Sequence, residues 1–286
     1  MITEVDGVRV GHVTHADAQT GVTAVLFPSG TVASAEVRGG APATREVALL
    51  DPVRRMQRLD ALMLCGGSAF GLAAADGAMR WCEERGLGHP TSAGPVPIVV
   101  ALSIFDLPVG DGSVRPTAED GYLACEMASA DPVQTGAVGA GTGARMGFDR
   151  TRRGGVGTAG ERIDGLVVAA LVVVNAAGLP AAEGPADLAG FDPDGVLTEG
   201  NTTIGVIVTN ARLTKPHCFL VAQGAHDGLA RAIDPPHTTV DGDVFVAAAT
   251  GTVGAPVDLV RALAVRATAA AVVAAPPDGD PVIGRQ

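Results

Sequence analysis

Two kinds of apolar pattern run along the chain. Short apolar runs bounded by glycine, proline, asparagine or aspartate predict strands at "VRVGHVTH" (8–15), "TGVTAVLFPSG" (20–30), from Thr203 onward and at "VFVAAAT" (244–250). "GLVVAALVVVNAAG" (165–178) has no polar alternation, the mark of a strand covered on both faces, and this strand ends at Asn175. Residues 61–86 read as strand, glycine turn and helix. Helices are predicted at 117–130, near 216–232 and over 256–275, with a shorter one fitting 47–60. "EVRGGAPATRE" (36–46) reads as a Gly-Pro loop, and 180–199, rich in Pro, Gly and Asp, as a linker. Strands and helices alternate only in part and no internal repeat is visible, so the pattern predicts one layered α/β domain with mixed sheets.

Composition sharpens this picture. The 286 residues are 47% hydrophobic but only 3% aromatic, so the core is built from Ala, Val, Leu and Ile. Thirty-nine glycines point to tight turns and close backbone packing. A formal charge of −11 argues against nucleic acid or an anionic membrane as partner, since both need clustered Lys and Arg. Cys65, Cys82, Cys125 and Cys218 lie far apart with no C-x-x-C spacing, which reads as buried free thiols in a reducing cytoplasm. The opening "MITEVDGVRVGH" has no apolar signal region, and Asp258, Arg261 and Arg266 make 256–275 amphipathic rather than membrane-spanning.

The candidate chemistry is dispersed. "CGGSAFG" (65–71) sets a serine on a strand-to-helix turn, but Phe70 stands where a nucleophile elbow needs its second glycine, so the turn reads as structural. "GAGTGA" (139–144) fits G-x-G-x-x-A without a strand leading into it, and reads as a glycine-rich loop beside a substrate pocket rather than a dinucleotide site. Asn201-Thr202-Thr203 is also a glycosylation sequon, which means nothing without a secretory signal. Six scattered histidines lack metal-ligand spacing, so no metal is expected, and His237 reads as a loop or capping residue before "TTVDGD". Asp241 and Asp243 would share one face of an extended segment. Taken alone they read as a turn opening the next strand, although paired carboxylates can also orient a hydroxyl or an ammonium. Asn175, at the end of a buried strand, needs partners or faces a cavity, where its amide could donate to an oxyanion. Gly200-Asn201-Thr202-Thr203 at the mouth of a buried strand is either an ordinary loop or a bond that the chain cuts itself.

Blocks in a fixed order bear on that choice: "ITEVDGVRVGH", "RGGAPATRE", "LCGGSAFGLAAADGAMRW", "VPIVVALSIFDLPVG", "GAVGAGTGA", "GGVGTA", "VVVNAAG", "GNTTIGVIVTNARLTK" and "HDGLARAIDPPHTTVDGDVFVAAATG". Over nearly its whole length the chain resembles the DmpA-like self-processing aminopeptidases and amidases, which include β-peptidyl aminopeptidases and nylon-oligomer hydrolases. The resemblance implies a four-layer α/β/β/α sandwich of N-terminal-nucleophile type, one domain over 1–286. It implies a precursor cut between Asn201 and Thr202 into fragments 1–201 and 202–286, with Thr202 as the new N-terminal nucleophile. By the same resemblance Asn175 stabilises the oxyanion, and Asp241 and Asp243 orient the nucleophile and its amine. The chemistry is coherent. A threonine hydroxyl needs a base, and an α-amine with a pKa of about 7.7–8.0 on the same residue can serve as one. No cofactor or histidine base is required. Substrates would be small peptides, amino-acid amides or linear oligoamides, and the protein a cytoplasmic homo-oligomer, in this family often a tetramer.

Two positions depart from the family pattern. The lysine that often follows the glycine-rich block is missing from "RMGFDRTRRGG" (145–155), Lys215 being the only lysine in the chain. Arg145 or Arg153 is the candidate stand-in, though arginine cannot act as a base. Phe105 occupies a place where the nylon-oligomer branch has tyrosine. Two other readings stay open: a non-processing relative that binds small amine ligands, and an acyltransferase of the ornithine-acetyltransferase type, whose local threonine motif is not found here.

Overall fold

In the computed structural model, which describes residues 1–186 and 200–276, two five-stranded sheets lie face to face. The first holds β1 (Arg9–His15), β2 (Thr20–Leu26), β4 (Ala43–Arg45), β5 (Ala61–Cys65) and β6 (Val99–Ser103), in the order β1-β2-β5-β6-β4. The second holds β3 (Val32–Val37), β7 (Gly155–Ile163), β8 (Leu166–Val174), β9 (Ile204–Ala211) and β10 (Val244–Val253), in the order β7-β8-β9-β10-β3. Each sheet has one parallel pair, β5 with β6 and β9 with β10, and is otherwise antiparallel.

Strand periodicity separates the layers. In β8, Val167, Ala169, Leu171 and Val173 face the other sheet, against Leu62, Leu64, Val100 and Leu102. Val168, Ala170 and Val172 face the opposite way, under helices α3 (Lys215–Ala232) and α4 (Val257–Val273). Ala24, Met63 and Ala101 do the same beneath α1 (Ala74–Glu84) and α2 (Ala118–Glu126). The result is the expected α/β/β/α sandwich. The helices of the first outer layer meet at glycine: a Cβ on Gly77 would fall 1.7 Å from the Ala118 carbonyl oxygen, and one on Gly121 1.9 Å from that of Ala74.

Some local expectations are corrected. Residues 47–60 do not form a helix of any length: a 3-10 turn at Val47–Leu50 stops before Pro52, and the following carbonyls turn to the Lys215 ammonium instead. The 36–46 loop contains the edge strand β4. Of the linker expected over 180–199, residues 187–199 lie outside the described residues. No helix among the described residues is long and apolar enough to cross a membrane.

One consequence of register matters most for function. Val173 on β8 lies opposite Ile204 on β9, and Ile204 opposite Val244 on β10. The end of β8 and the starts of β9 and β10 therefore share one edge of the sheet. Residues just beyond these ends, Asn175, Thr202 and Asp243, must meet there.

Candidate active site

At that edge the Asn201–Thr202 bond is buried, each residue being 3% exposed. Asn201 is fixed as a short extension of the sheet: its N–H donates to the Val240 carbonyl at 3.1 Å, and Gly242 N–H donates to the Asn201 carbonyl at 2.8 Å. The Thr202 hydroxyl donates to that same carbonyl oxygen. The Thr202 N–H donates to the backbone carbonyl of Asn175 at 2.6 Å. The Asn201 carbonyl thus has a backbone donor on its oxygen and a threonine hydroxyl beside it. Gly242 cannot be larger, because a Cβ there would sit 2.7 Å from Thr202 Oγ1 and 2.6 Å from the Ala41 carbonyl oxygen.

The two aspartates flank this bond, each 1% exposed. Asp241 Oδ1 accepts Ala177 N–H at 3.0 Å, and Oδ2 accepts both the N–H and the hydroxyl of Thr238, at 2.9 and 2.6 Å. Burial, and then the charge of Asp243, hold the Asp241 carboxyl up at about 6 despite those donors. Asp243 Oδ1 accepts the Thr203 N–H at 2.7 Å, and His237 Nδ1 lies 2.7 Å from Oδ2. Asp241 and Asp243 thus tie the segment around Thr202 to the loops at 177 and 237–238.

Asn175 supplies more than its backbone. Its Oδ1 accepts the Arg145 N–H at 2.8 Å, and its Nδ2 donates at 3.3 Å to the Phe105 carbonyl. The "GAGTGA" block, which opens with a 3-10 turn at Gly139–Gly141, therefore reaches the site through the backbone of the residue after it. "CGGSAFG" serves the site too, indirectly. Gly67 N–H and the Thr20 hydroxyl grip Asp106 at 2.6 and 2.8 Å, beside Phe105, and burial raises the Asp106 carboxyl above the usual range.

An arginine not singled out from the sequence, Arg150, contacts the residue before Asn201. Arg150 Nη2 donates to the Gly200 carbonyl, Nη1 donates to Phe105 O at 3.3 Å, and the guanidinium lies 5.1 Å from the Phe105 ring centre. Arg145 sends its guanidinium to Gln19 Oε1 at 2.9 Å and to the Ala144 carbonyl. Sequence reasoning gathered Thr202, Asn175, Asp241 and Asp243 into one site, and the fold does bring them together. It missed Gly242, Arg150, Asp106 and the contact of His237. Gly242 had a signal, a glycine between two site aspartates. Among the described residues no group of three or more His, Cys, Asp or Glu could hold a metal ion.

Comparison with known proteins covers nearly the whole chain. The profile of peptidase family S58 matches residues 1–285. An uncharacterized aminopeptidase of Mycobacterium tuberculosis (strain ATCC 25618 / H37Rv) is 47% identical over 288 residues, 89% of this chain and 83% of the relative. A 6-aminohexanoate-oligomer endohydrolase of Paenarthrobacter ureafaciens is 30% identical over 274 residues, 87% of this chain and 75% of the relative. Among solved structures, a Burkholderia sp. beta-aminopeptidase superposes with a TM-score of 0.74 at 26% identity, covering 96% of this chain and 85% of that one. An L-aminopeptidase D-Ala-esterase/amidase from Ochrobactrum anthropi, described as a variant of the Ntn hydrolase fold, shares the fold with a TM-score of 0.76 at 24% identity, over 96% of this chain and 85% of that one.

Proposed function

Because the chain belongs to peptidase family S58 and is a hydrolase, we propose that it makes its own nucleophile by cutting Asn201–Thr202 and then uses Thr202 on amides. One observation carries this reading: the Asn201 carbonyl oxygen receives both the Gly242 N–H, at 2.8 Å, and the Thr202 hydroxyl. Thr202 Oγ1 attacks the Asn201 carbonyl carbon, and the Gly242 N–H stabilises the oxyanion that forms. The C–N bond breaks, the nitrogen takes up the hydroxyl's proton, and an ester links Asn201 to Oγ1. Water opens the ester, leaving a carboxylate on Asn201 and a free amine on Thr202. Before the cut Thr202 has no free α-amine to act as base, so the carboxylates of Asp241 and Asp243, held on either side of Gly242, are the proposed proton acceptors, and processing is slower than turnover.

In the cut enzyme the Thr202 amine keeps the Asn175 carbonyl as an acceptor, which turns its lone pair toward its own hydroxyl. It accepts the hydroxyl proton as Oγ1 attacks a substrate carbonyl, and returns it to the departing amine. The acyl-enzyme is released to water. Asn175 Nδ2, now on a 3.3 Å bond to Phe105 O, is the side-chain oxyanion donor for this reaction. The substrate's acyl part takes the place vacated by Gly200 and Asn201 beside Phe105. Small peptides, amino-acid amides and linear oligoamides fit such a site, in keeping with the aminopeptidase and 6-aminohexanoate-oligomer hydrolase relatives. The same reading makes the protein a cytoplasmic homo-oligomer, a tetramer of two-fragment units, acting without nucleic acid, membrane or cofactor. Its four buried free thiols suit a reducing compartment.

The test is the mass of the purified protein under denaturing conditions. Fragments 1–201 and 202–286 are expected, the smaller beginning Thr-Thr-Ile-Gly. Thr202→Ala is expected to stay whole and inactive, while Thr202→Ser, which keeps a hydroxyl, still processes. A wild-type chain that stays whole yet hydrolyses amides would sink the mechanism.

A further inference from the structure

His237 stands outside the set of groups used above, yet its contacts converge on one of them. Its backbone N–H donates to Asp243 Oδ2 at 3.2 Å, and its Nδ1 lies 2.7 Å from the same oxygen. Both contacts depend on a left-handed backbone at His237, with φ of +54°. Non-glycine residues adopt that conformation seldom, and keep it where surrounding contacts enforce it. The pair is out of water, with side-chain exposures of 17% for His237 and 2% for Asp243.

A second ring backs the first. His226 stands edge-on to His237 with centroids 4.9 Å apart, and Phe245 closes its other side at 4.9 Å. His226 Nε2 lies 3.0 Å from the Glu36 carbonyl oxygen, which can only accept, so Nε2 carries the hydrogen. Burial pushes the His226 pKa down to about 3, so this ring is a neutral wedge that fixes the plane of His237. A carboxylate likewise only accepts, so His237 presents Nδ1–H to Asp243. The other oxygen of Asp243 holds the Thr203 N–H at 2.7 Å, one peptide beyond the nucleophile.

We propose that His237 is a positioning residue for the nucleophile: its Nδ1–H aims Asp243 so that the carboxylate fixes the Thr203 amide, and with it Thr202 before and after the cut. This rests on the reading of Thr202 as nucleophile. Asp243 stands between the imidazole and the threonine, so the ring acts through the carboxylate and takes no proton from the hydroxyl. Asp241 has a different anchor, the Thr238 and Ala177 donors, so losing the imidazole loosens one carboxylate and leaves the other gripped.

His237→Leu fills the space without a donor, whereas His237→Asn keeps an N–H and is at ease in left-handed backbone. Displacing a reacting group by about 1 Å can cost on the order of a hundredfold. His237→Leu is therefore expected to slow self-cleavage, and to lower kcat of the cut enzyme by about 10–100-fold with KM within about twofold. His237→Asn is expected to recover most of that loss. In a double-mutant cycle with Asp243→Asn, the His237→Leu change is expected to add no further loss, because it acts through the group already altered. The nitrogen NMR spectrum of histidine-labelled wild-type protein is expected to show a protonated Nδ1 at His237, a reading that needs no variant and stands even if His237→Leu does not fold. An unprotonated Nδ1, equal impairment by Leu and Asn, or fully additive losses in the cycle would overturn the proposal. A cut wild type with an indifferent His237→Leu overturns this proposal alone. A wild type that is active but uncut overturns the Thr202 reading with it.

Discussion

Asp241 accepts three hydrogen bonds and still ionises with difficulty, because burial and the neighbouring charge of Asp243 outweigh the donors. Its folded pKa, about 6, lies above that of an unfolded aspartate, so the native chain binds this proton more tightly. The stability this provides is present in acid and is lost as pH rises from about 4 through 6. In an uncut Thr202→Ala background, Asp241→Asn should flatten that fall, as read from melting temperatures across the interval. In the cut enzyme, Asp241→Asn and Asp243→Asn should each lower amide turnover by at least about a hundredfold, since a turn-only aspartate would tolerate asparagine. Asn175→Ala should stay soluble but lose about 10²–10³ in turnover, measured under the same conditions. At this scale the sequence alone offered Thr202, Asn175, Asp241 and Asp243 as possibilities, and family resemblance tied them together. Gly242 was missed although a glycine between two aspartates marks a tight approach; its donor is a backbone N–H, whose target no residue type names. Arg150 was not legible, because it comes from a loop far in sequence from Gly200.

Among the elements, the pattern found β8 from its unbroken apolar run and the long helices from their apolar spacing, but left β3 and β6 unassigned. It passed over β7, whose "GVGTAGERI" looks like a loop. Glycine weakens a strand, yet here it is required: a Cβ on Gly157 would fall 1.9 Å from the Ala271 carbonyl oxygen of α4. The expected helix over 47–60 failed for another reason. Lys215, 1% exposed at the start of α3, donates to the carbonyls of Leu49, Arg54 and Met56 at 2.7, 3.1 and 2.7 Å. Those carbonyls satisfy a buried cation instead of continuing a helix. Lys215→Met should leave three acceptors without their donor and destabilise the uncut chain by roughly 2–4 kcal/mol, read from urea unfolding. Lys215 holds this loop and is not the lysine whose absence from 145–155 departs from the family pattern.

For the molecule as a whole, the position of the cut in the sheet decides its consequence. Fragment 202–286 would carry β9, β10, α3 and α4, while β7, β8 and β3 belong to fragment 1–201. In the order β7-β8-β9-β10-β3 the smaller fragment's strands fill the middle and are flanked on both sides by the larger one. Separating the fragments would break two ladders of this sheet and strip the cover from an apolar core. They should therefore migrate as one species on native size exclusion, part only in denaturant, and lose activity together. This interleaving was not legible from the pattern of residues, because strand order is set by long-range pairing.

The buried clamp at Lys215 has a consequence for chemistry done on the protein from outside. With the only lysine ammonium shut away among three carbonyls, a mild amine-acylating reagent finds no side chain to modify. It would meet only α-amines: the one at the start of the chain and, if Asn201–Thr202 is cut as proposed, the new one on Thr202. Counting tags on the native protein would then be a clock for maturation, with the second tag silencing the enzyme that it counts.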